Sequence, residues 1–340
     1  MTSYMAREVS EIPQVSRRFL MESRGALRAA AAAMRAIDPG LIVTVARGSS
    51  DHAATYLKYA VELLAGVPVA SVGPSVASVY GRPLRLGGAA CVGISQSGRS
   101  PDIVEMIRAA GTGGALSVAI TNFADSPMAQ VSAHCLPLQA GVEQSVAATK
   151  TFVTSVVAGL ALVAEWQQNE PLLAAIETIP QAFEAALALD WSPLAARMAR
   201  AQQGYVLGRG PAFAIANECA LKLKETCGLH AEAYSAAEVL HGPSAIVQAH
   251  FPVLALAVED AAHAGVVQTA ERLAAQGADV FVTGAAAQGC VTLPSVGGLH
   301  PLVAPLVLAV GFYGFVEALA RRRGFDPDTP PHLRKVTETV

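Results

Sequence analysis

Cys91-Val-Gly-Ile-Ser95-Gln-Ser97-Gly-Arg-Ser100-Pro-Asp-Ile-Val104 is the run from which the fold reads outward. Ala89 to Ile94 is a short apolar segment of the kind a buried strand requires. The chain turns polar at Ser95, and Pro101 stands where a first helical turn accepts proline, so Asp102 to Ala110 reads as an amphipathic helix. A strand passing straight into a helix N-terminus leaves unpaired amides and the positive dipole end facing one point, which suits an anion. Ser95, Ser97, Ser100 and the Gln96 amide add donors for a phosphate ester. The same residues also suit a plain Ser-Gly turn in which Ser100 only caps the helix.

The flanking sequence repeats this strand-then-helix pattern. A helical stretch over 1–36 precedes the strand Leu41 to Ala46, and Arg47-Gly48-Ser49-Ser50 leads into a helix from Asp51 to Leu64. Further strands read at Val67–Val72, Ala115–Thr121 and His134–Leu138, and a long helix from Val142 to Gln167 closes the half. Strands alternating with helices predict an α/β fold with a parallel sheet covered on both faces. Ligands of such sheets collect beyond the carboxyl ends of the strands, which brings Gly48, Ser49 and Ser50 beside the Ser95 loop; Ser50 or Asp51 acting only as a helix cap is the alternative.

The pattern then restarts. Gly204-Tyr-Val-Leu-Gly-Arg209-Gly210 echoes Ile42 to Gly48, Val253–Val258 echoes the strand ending at Ile94, and Gln276–Thr283 echoes Gly113–Ile120. The offset is roughly 162 to 164 throughout, the signature of an internal duplication. The expected organisation is therefore two tandem doubly wound units, with N-terminal helices and a first unit over 1–170, a second unit over 190–325, and a tail over 326–340. The copies differ where chemistry would show. Glu259-Asp260-Ala-Ala replaces Ser95-Gln-Ser-Gly, and its carboxylates would repel a phosphate.

The second copy carries its own cluster. Glu218, Lys222 and Glu225 fall on one helical stripe, which reads either as a solvated salt-bridge face or as part of a site. A loop bearing His230, Glu232, Glu238 and His241 is expected to follow, and a carboxylate with an imidazole on adjoining elements could move protons on a carbonyl compound.

Composition narrows the classes. The chain is 340 residues long, 52% hydrophobic and 15% charged, so a large core is available. A net charge of −3 with no basic run argues against nucleic acid as the partner. Five scattered cysteines indicate neither a zinc site nor a disulfide framework. No charged-then-apolar leader stands at the N-terminus, and the apolar run Leu299–Val316 is broken by prolines and glycines, so a cytoplasmic protein without a membrane span is expected.

Together these stretches resemble the sugar isomerase (SIS) family, and within it the isomerase half of glucosamine-6-phosphate synthase and the SIS-type glucosamine-6-phosphate deaminases. The resemblance covers about residues 25 to 340. It rests on Ser95-Gln-Ser-Gly98, Val146-Ala-Ala-Thr-Lys150, Leu207-Gly-Arg-Gly210, Ala220-Leu-Lys-Leu-Lys-Glu225, His230-Ala-Glu-Ala-Tyr234, His241-Gly-Pro243 and Leu333-Arg-Lys335. It implies a homodimer with sites at the subunit interface and a sugar phosphate held by Gly48, Ser49, Ser50, Ser95, Gln96, Ser97 and Ser100. Backbone at Val146, Ala147 and Ala148 and the Lys222 side chain would complete substrate binding.

Glu225 would shuttle a proton between C1 and C2, His241 would assist ring opening, and Lys335 would match a Schiff-base lysine. No metal or redox cofactor is implied, because the imine is itself the electron sink. The chain lacks a glutaminase segment, and Pro331 stands where synthase tails carry arginine, so the resemblance points to glucosamine 6-phosphate deamination. The alternatives are an isomerase or deglycase of another amino-sugar 6-phosphate, an isomerase subunit using glutamine-derived ammonia, and a non-catalytic phosphosugar sensor.

Overall fold

The computed structural model describes residues 2–335. Its first elements are α1 (Tyr4–Ser10), α2 (Ile12–Glu22) and α3 (Arg24–Ile37). A first βα series follows: β1 (Ile42–Val45), α4 (Ser49–Leu64), β2 (Val69–Ser71), α5 (Ser75–Ser78), β3 (Ala90–Ile94) and α6 (Pro101–Thr112). It ends with β4 (Leu116–Thr121), α7 (Pro127–Val131) and β5 (His134–Pro137). Four helices come next: α8 (Lys150–Gln167), α9 (Glu170–Glu177), α10 (Ile179–Ala186) and α11 (Ser192–Met198). The second series is β6 (Gln203–Gly208), α12 (Pro211–Cys227), β7 (His230–Ser235), β8 (Pro252–Ala255), α13 (His263–Ala275), β9 (Asp279–Thr283), β10 (Val291–Leu293) and α14 (Ala304–Arg322).

The strands make two five-stranded sheets, parallel throughout, in the orders β2-β1-β3-β4-β5 and β7-β6-β8-β9-β10. The duplication is thus one of topology, since each series puts its second strand outside its first and adds the rest on the other side. The α/β, tandem, parallel arrangement expected from the sequence is the one found. Strands β1 and β3 are buried along their whole length, which is why they read as unbroken apolar runs rather than alternating ones.

By contacts the chain divides into two units, each with one sheet. The first holds Ile12–Glu143 and Lys150–Thr178, with Arg334 and Lys335; the second holds residues 2–11, Gln144–Thr149 and Ile179–Leu333. In the first unit, Val43, Val45 and Cys91 of the sheet pack on Ile103 and Ile107 of α6. In the second, Tyr205, Leu207, Val253 and Val280 pack with Leu273 of α13. Helix α14 has the length and apolarity of a membrane span, but 83% of its apolar window is buried in the fold, against α12, α10, α11 and α1. Of the tail expected over 326–340, residues 336–340 lie outside the described residues.

Two expectations about elements need correction. The long helix starts at Lys150 rather than Val142, because side chains claim the backbone ahead of it. Gln144 and Ser145 give their N–H groups to the Glu8 carboxylate, and Glu143 folds back to accept from the Thr151 N–H at 3.1 Å and its hydroxyl at 2.6 Å. The stretch after α12 is not a loop from its start: His230–Ser235 is β7, paired in parallel with β6.

The two copies share a backbone device. Gly48 (φ 54°, ψ −133°) ends the turn into α4, and Gly210 (φ 61°, ψ −138°), 162 residues later, ends the turn into α12. An L-residue side chain strains there even with open space around it. Gly48→Ala and Gly210→Ala should each lower stability by about 1–3 kcal/mol, seen as a lower urea midpoint at unchanged m-value. Gly25→Ala, inside α3 with nothing within 4 Å, should instead leave the midpoint equal or raise it by up to about 1 kcal/mol.

Candidate active site

In the first sheet the topology reverses between β1 and β3, which are neighbours although β2 lies between them in sequence. Chain leaving adjacent strands toward opposite sides opens a crevice at their carboxyl ends. The loops at that crevice are Arg47–Ser50 and Ser95–Ser100. The second is pinned from both ends. Gln96 accepts at its carbonyl from the Asn122 N–H (3.1 Å) and Gly98 from the Met128 N–H (3.0 Å), while the Ser95 hydroxyl accepts from the Gly98 N–H (3.1 Å). Gly98 has φ +61°, and a Cβ there would sit 2.3 Å from Ser126 Oγ and 2.9 Å from Thr121 Oγ1, so only glycine fits the turn.

The helix-cap alternative for these serines fails on geometry. Ser100 occupies the N-cap position of α6 without a side-chain hydrogen bond to its helix, and the N-cap of α4 is Gly48 rather than Ser50 or Asp51. The two loops are tied by an ion pair that the sequence reading missed. Arg47 donates from Nε (3.1 Å) and Nη2 (2.7 Å) to one oxygen of Asp102, in the first turn of α6. The Asp102 side chain is fully buried whereas that of Arg47 is 53% exposed, so the pair neutralises the acid while leaving the arginine side chain partly open to solvent. Burial raises the Asp51 carboxyl above the usual range, against the opposing pull of His52 and Arg47. The only hint in the sequence was that an acid sits directly after Pro101.

Lys335 also belongs to this unit. Its ammonium donates to Glu143 Oε2 at 2.9 Å, and the side chain of Glu143 is wholly buried. Glu143 thus serves the α8 N-terminus and the lysine at once, a role no spacing in the sequence announced.

Val146, Ala147 and Ala148 belong to the second unit. The Val146 N–H donates to the Asp328 carbonyl at 3.1 Å, and the Asp328 carboxylate in turn accepts from the Tyr4 and Met5 amides of α1 at 2.7 and 2.8 Å. Residues 326–329 are therefore anchored rather than frayed.

The α12 stripe is not a solvated face. Glu218 and Lys222 are each 1% exposed and 3.5 Å apart, Lys222 donates to Glu225, and the Tyr313 hydroxyl of α14 donates to Glu218 at 2.9 Å. Burial alone would pull the Lys222 ammonium down, but the two carboxylates outweigh it and hold its pKa above the ordinary lysine value. Glu225, with 22% exposure, is the member of the stripe that reaches the surface.

The expected cluster after α12 is separated by the parallel strand. His230 opens β7 at the amino edge of the sheet, and exposed His241 closes the short 3₁₀ turn Glu238–His241 beyond its carboxyl end. Glu232 accepts from the Tyr234 hydroxyl at 3.0 Å, within the strand. In the second copy Asp260, in place of the Ser95 loop, accepts from the Ala262 N–H at 2.8 Å, and His263 Nδ1 lies 3.0 Å from the Val258 carbonyl.

The SIS domain matches this chain over residues 37–165 and 197–284, and the chain belongs to that family. A glutamine–fructose-6-phosphate aminotransferase of Zymomonas mobilis is 30% identical over 311 residues, covering 86% of this chain and 51% of the relative. The chain thus spans about half the length of the curated relatives it matches. A phosphosugar-isomerase candidate from Silicibacter pomeroyi is 52% identical with a TM-score of 0.93, covering 96% of this chain and 100% of that one. A glucosamine-6-phosphate deaminase from Thermotoga maritima shares the fold at 20% identity, with a TM-score of 0.79 over 99% of this chain and 100% of that one.

Glu143→Ala leaves the Thr151 amide and hydroxyl without their buried acceptor and should lower stability by about 1–3 kcal/mol. It should also remove the Glu143 partner of Lys335, so that limited acetylation read by mass spectrometry labels this lysine faster than in the parent protein. Unchanged labelling would mean that Glu143 does not hold the amine.

Proposed function

We propose that the chain is a phosphosugar isomerase whose reaction is the deamination of glucosamine 6-phosphate. The observation that carries this reading is the α12 stripe: a carboxylate at the surface, backed by a buried ammonium, is built to accept and return a proton. The sugar phosphate would sit on Ser50, Ser95, Gln96, Ser97 and Ser100, where hydroxyls that can still donate their protons and helix N-terminal amides would meet an anion. Gly48 and Ser49 line the same turn, Val146–Ala148 would contact the sugar through their backbone, and Lys222 would orient Glu225.

The chemistry needs few parts. His241 assists ring opening by moving a proton between the ring oxygen and the anomeric hydroxyl. Glu225 removes the C2 proton of the open aldehyde, and the electron pair moves to form the C1–C2 double bond as the carbonyl oxygen is protonated. Return of the proton at C1 leaves a C2 ketimine, which water hydrolyses to fructose 6-phosphate and ammonia. Lys335 stands as the amine able to form a Schiff base with the ketose.

We also read the enzyme as a cytoplasmic homodimer. Pro211 opens α12 at the carboxyl end of β6, and Glu225 lies about four turns, about 20 Å, further along toward the amino edge. His241 stands beyond the carboxyl edge, exposed. Two residues at opposite edges of one unit do not share a site within it, which supports His241 serving the neighbouring subunit.

A second reading is the isomerase part of a glutamine-dependent aminotransferase, favoured by the identity to such enzymes over 86% of the chain. Pro331 in the tail favours the deaminase. Purified protein given glucosamine 6-phosphate should release ammonia and fructose 6-phosphate in equal amounts. Isomerisation that consumes supplied ammonia, without net deamination, would select the second reading. Glu225→Gln should lower kcat by roughly 10²- to 10⁴-fold, and near-parental turnover would remove Glu225 as the base. Mixing inactive Glu225→Gln and His241→Gln subunits should restore about a quarter of the sites in a dimer that shares them; no restoration would place His241 in its own chain's site.

A further inference from the structure

The α12 stripe holds one cation for two anions, and its charge balance has a consequence for the proton transfer proposed above, on which this inference rests. With Glu218 and Glu225 ionised and Lys222 protonated, the cluster carries one negative charge. When Glu225 takes up a proton, Lys222 still faces Glu218 at 3.5 Å, so the buried ammonium keeps a counter-ion and the cluster becomes neutral. With Glu218 neutral, the same protonation would leave a lone ammonium whose side chain is 1% exposed, which a protein interior strongly disfavours. Glu225 would then be locked as a carboxylate and would be a poor base. Tyr313, donating at 2.9 Å from α14, favours the ionised form of Glu218.

We propose that Glu218, held by Tyr313, is a positioning residue that compensates Lys222 whenever Glu225 is protonated and thereby lets Glu225 accept and return a proton. Neighbouring groups do not supply that compensation. Cys219 adjoins the stripe on α12 with its thiol held neutral, chiefly by burial and then by Glu218. On α14, Glu317 accepts from Arg321 (3.2 Å) and from the Ser3 hydroxyl (2.7 Å), and Arg323 donates to backbone carbonyls including that of Cys227. The strands packed on α12 carry Tyr205, His230, and the mutually bonded Glu232 and Tyr234.

The test is Glu218→Gln in the full chain, with two readouts. One is the pH profile of kcat/KM on glucosamine 6-phosphate; the other, independent of turnover, is the Glu225 carboxyl titration by infrared difference against Glu225→Gln. Glu218→Gln should lower the Glu225 pKa by about 1 unit or more and move the acidic limb of kcat/KM to lower pH, with a reduced plateau. Lys222→Gln should move the titration the opposite way, because two carboxylates then repel, and Glu218→Gln with Lys222→Gln should bring it back up from the single Glu218→Gln value. An unshifted Glu225 titration in folded Glu218→Gln protein, or a loss of activity equal at every pH, overturns the proposal. Titration shifts of the expected signs in a protein that turns over no amino-sugar phosphate would sustain the compensation and overturn the catalytic reading instead.

Discussion

Every strand in both sheets runs parallel to its neighbours, and the arrangement of chemistry follows from that constraint. A parallel strand cannot return by a hairpin, so β1, β3, β4, β6 and β8 each hand the chain to a crossover helix at the same edge. Helix N-termini therefore gather at the carboxyl edge, with their unpaired amides, and helix C-termini at the other. In the first sheet this concentrates Ser50 and the Ser95–Ser100 loop at the reversal between β1 and β3. The tight turns this requires are why glycine stands at 48 and 98, each with positive φ.

Duplication then let the copies diverge without changing the framework. The turn closed by Gly48 survives as that closed by Gly210, with almost the same backbone angles. What changed is the charge at the next turn. In the first copy Asp102 is buried and offset by Arg47, so an anion meets donors; in the second, Glu259 and Asp260 stand where the serines would be and Asp260 accepts from the Ala262 amide. The second copy put its buried charges on α12 instead, whereas on α4 of the first copy the pair Lys58 and Glu62 lies nearer the surface, 4.0 Å apart.

Much of this was legible because it depends on local spacing. The strand into Ser95, the glycine after each arginine, and the constant offset between the copies are properties of short segments, and the sheets obey them. What the sequence hid depends on partners far along the chain. Residues 142–149 suit a helix by composition, yet Glu8, more than 130 residues away, claims the amides of Gln144 and Ser145. His230–Tyr234 carries too many polar residues to read as a core strand, and it forms one because β7 is the outermost strand of its sheet. The Glu218–Lys222–Glu225 spacing could not separate a wet face from a buried one, since both need the same period. The hydroxyl of Tyr313, amid the apolar run Leu306–Val316 of α14, was the clue to a polar group beneath that helix.

The burial of that stripe also explains why charge is retained there at all. An ion pair taken out of water returns little net stability, and an apolar replacement of similar volume often does as well. Lys222 between two carboxylates is therefore poor material for a helix seeking only to pack against β6 and α14. Its retention makes sense where an interior charge must be transferred and returned, because a cluster with one anion in excess can take a proton and become neutral rather than becoming charged. The surface pair Lys58–Glu62 faces no such demand, and water serves it equally well. The asymmetry between the copies is thus electrostatic: in the first, the buried acid Asp102 sits at the start of α6 and is offset by Arg47, and in the second the buried charges lie on the long helix α12.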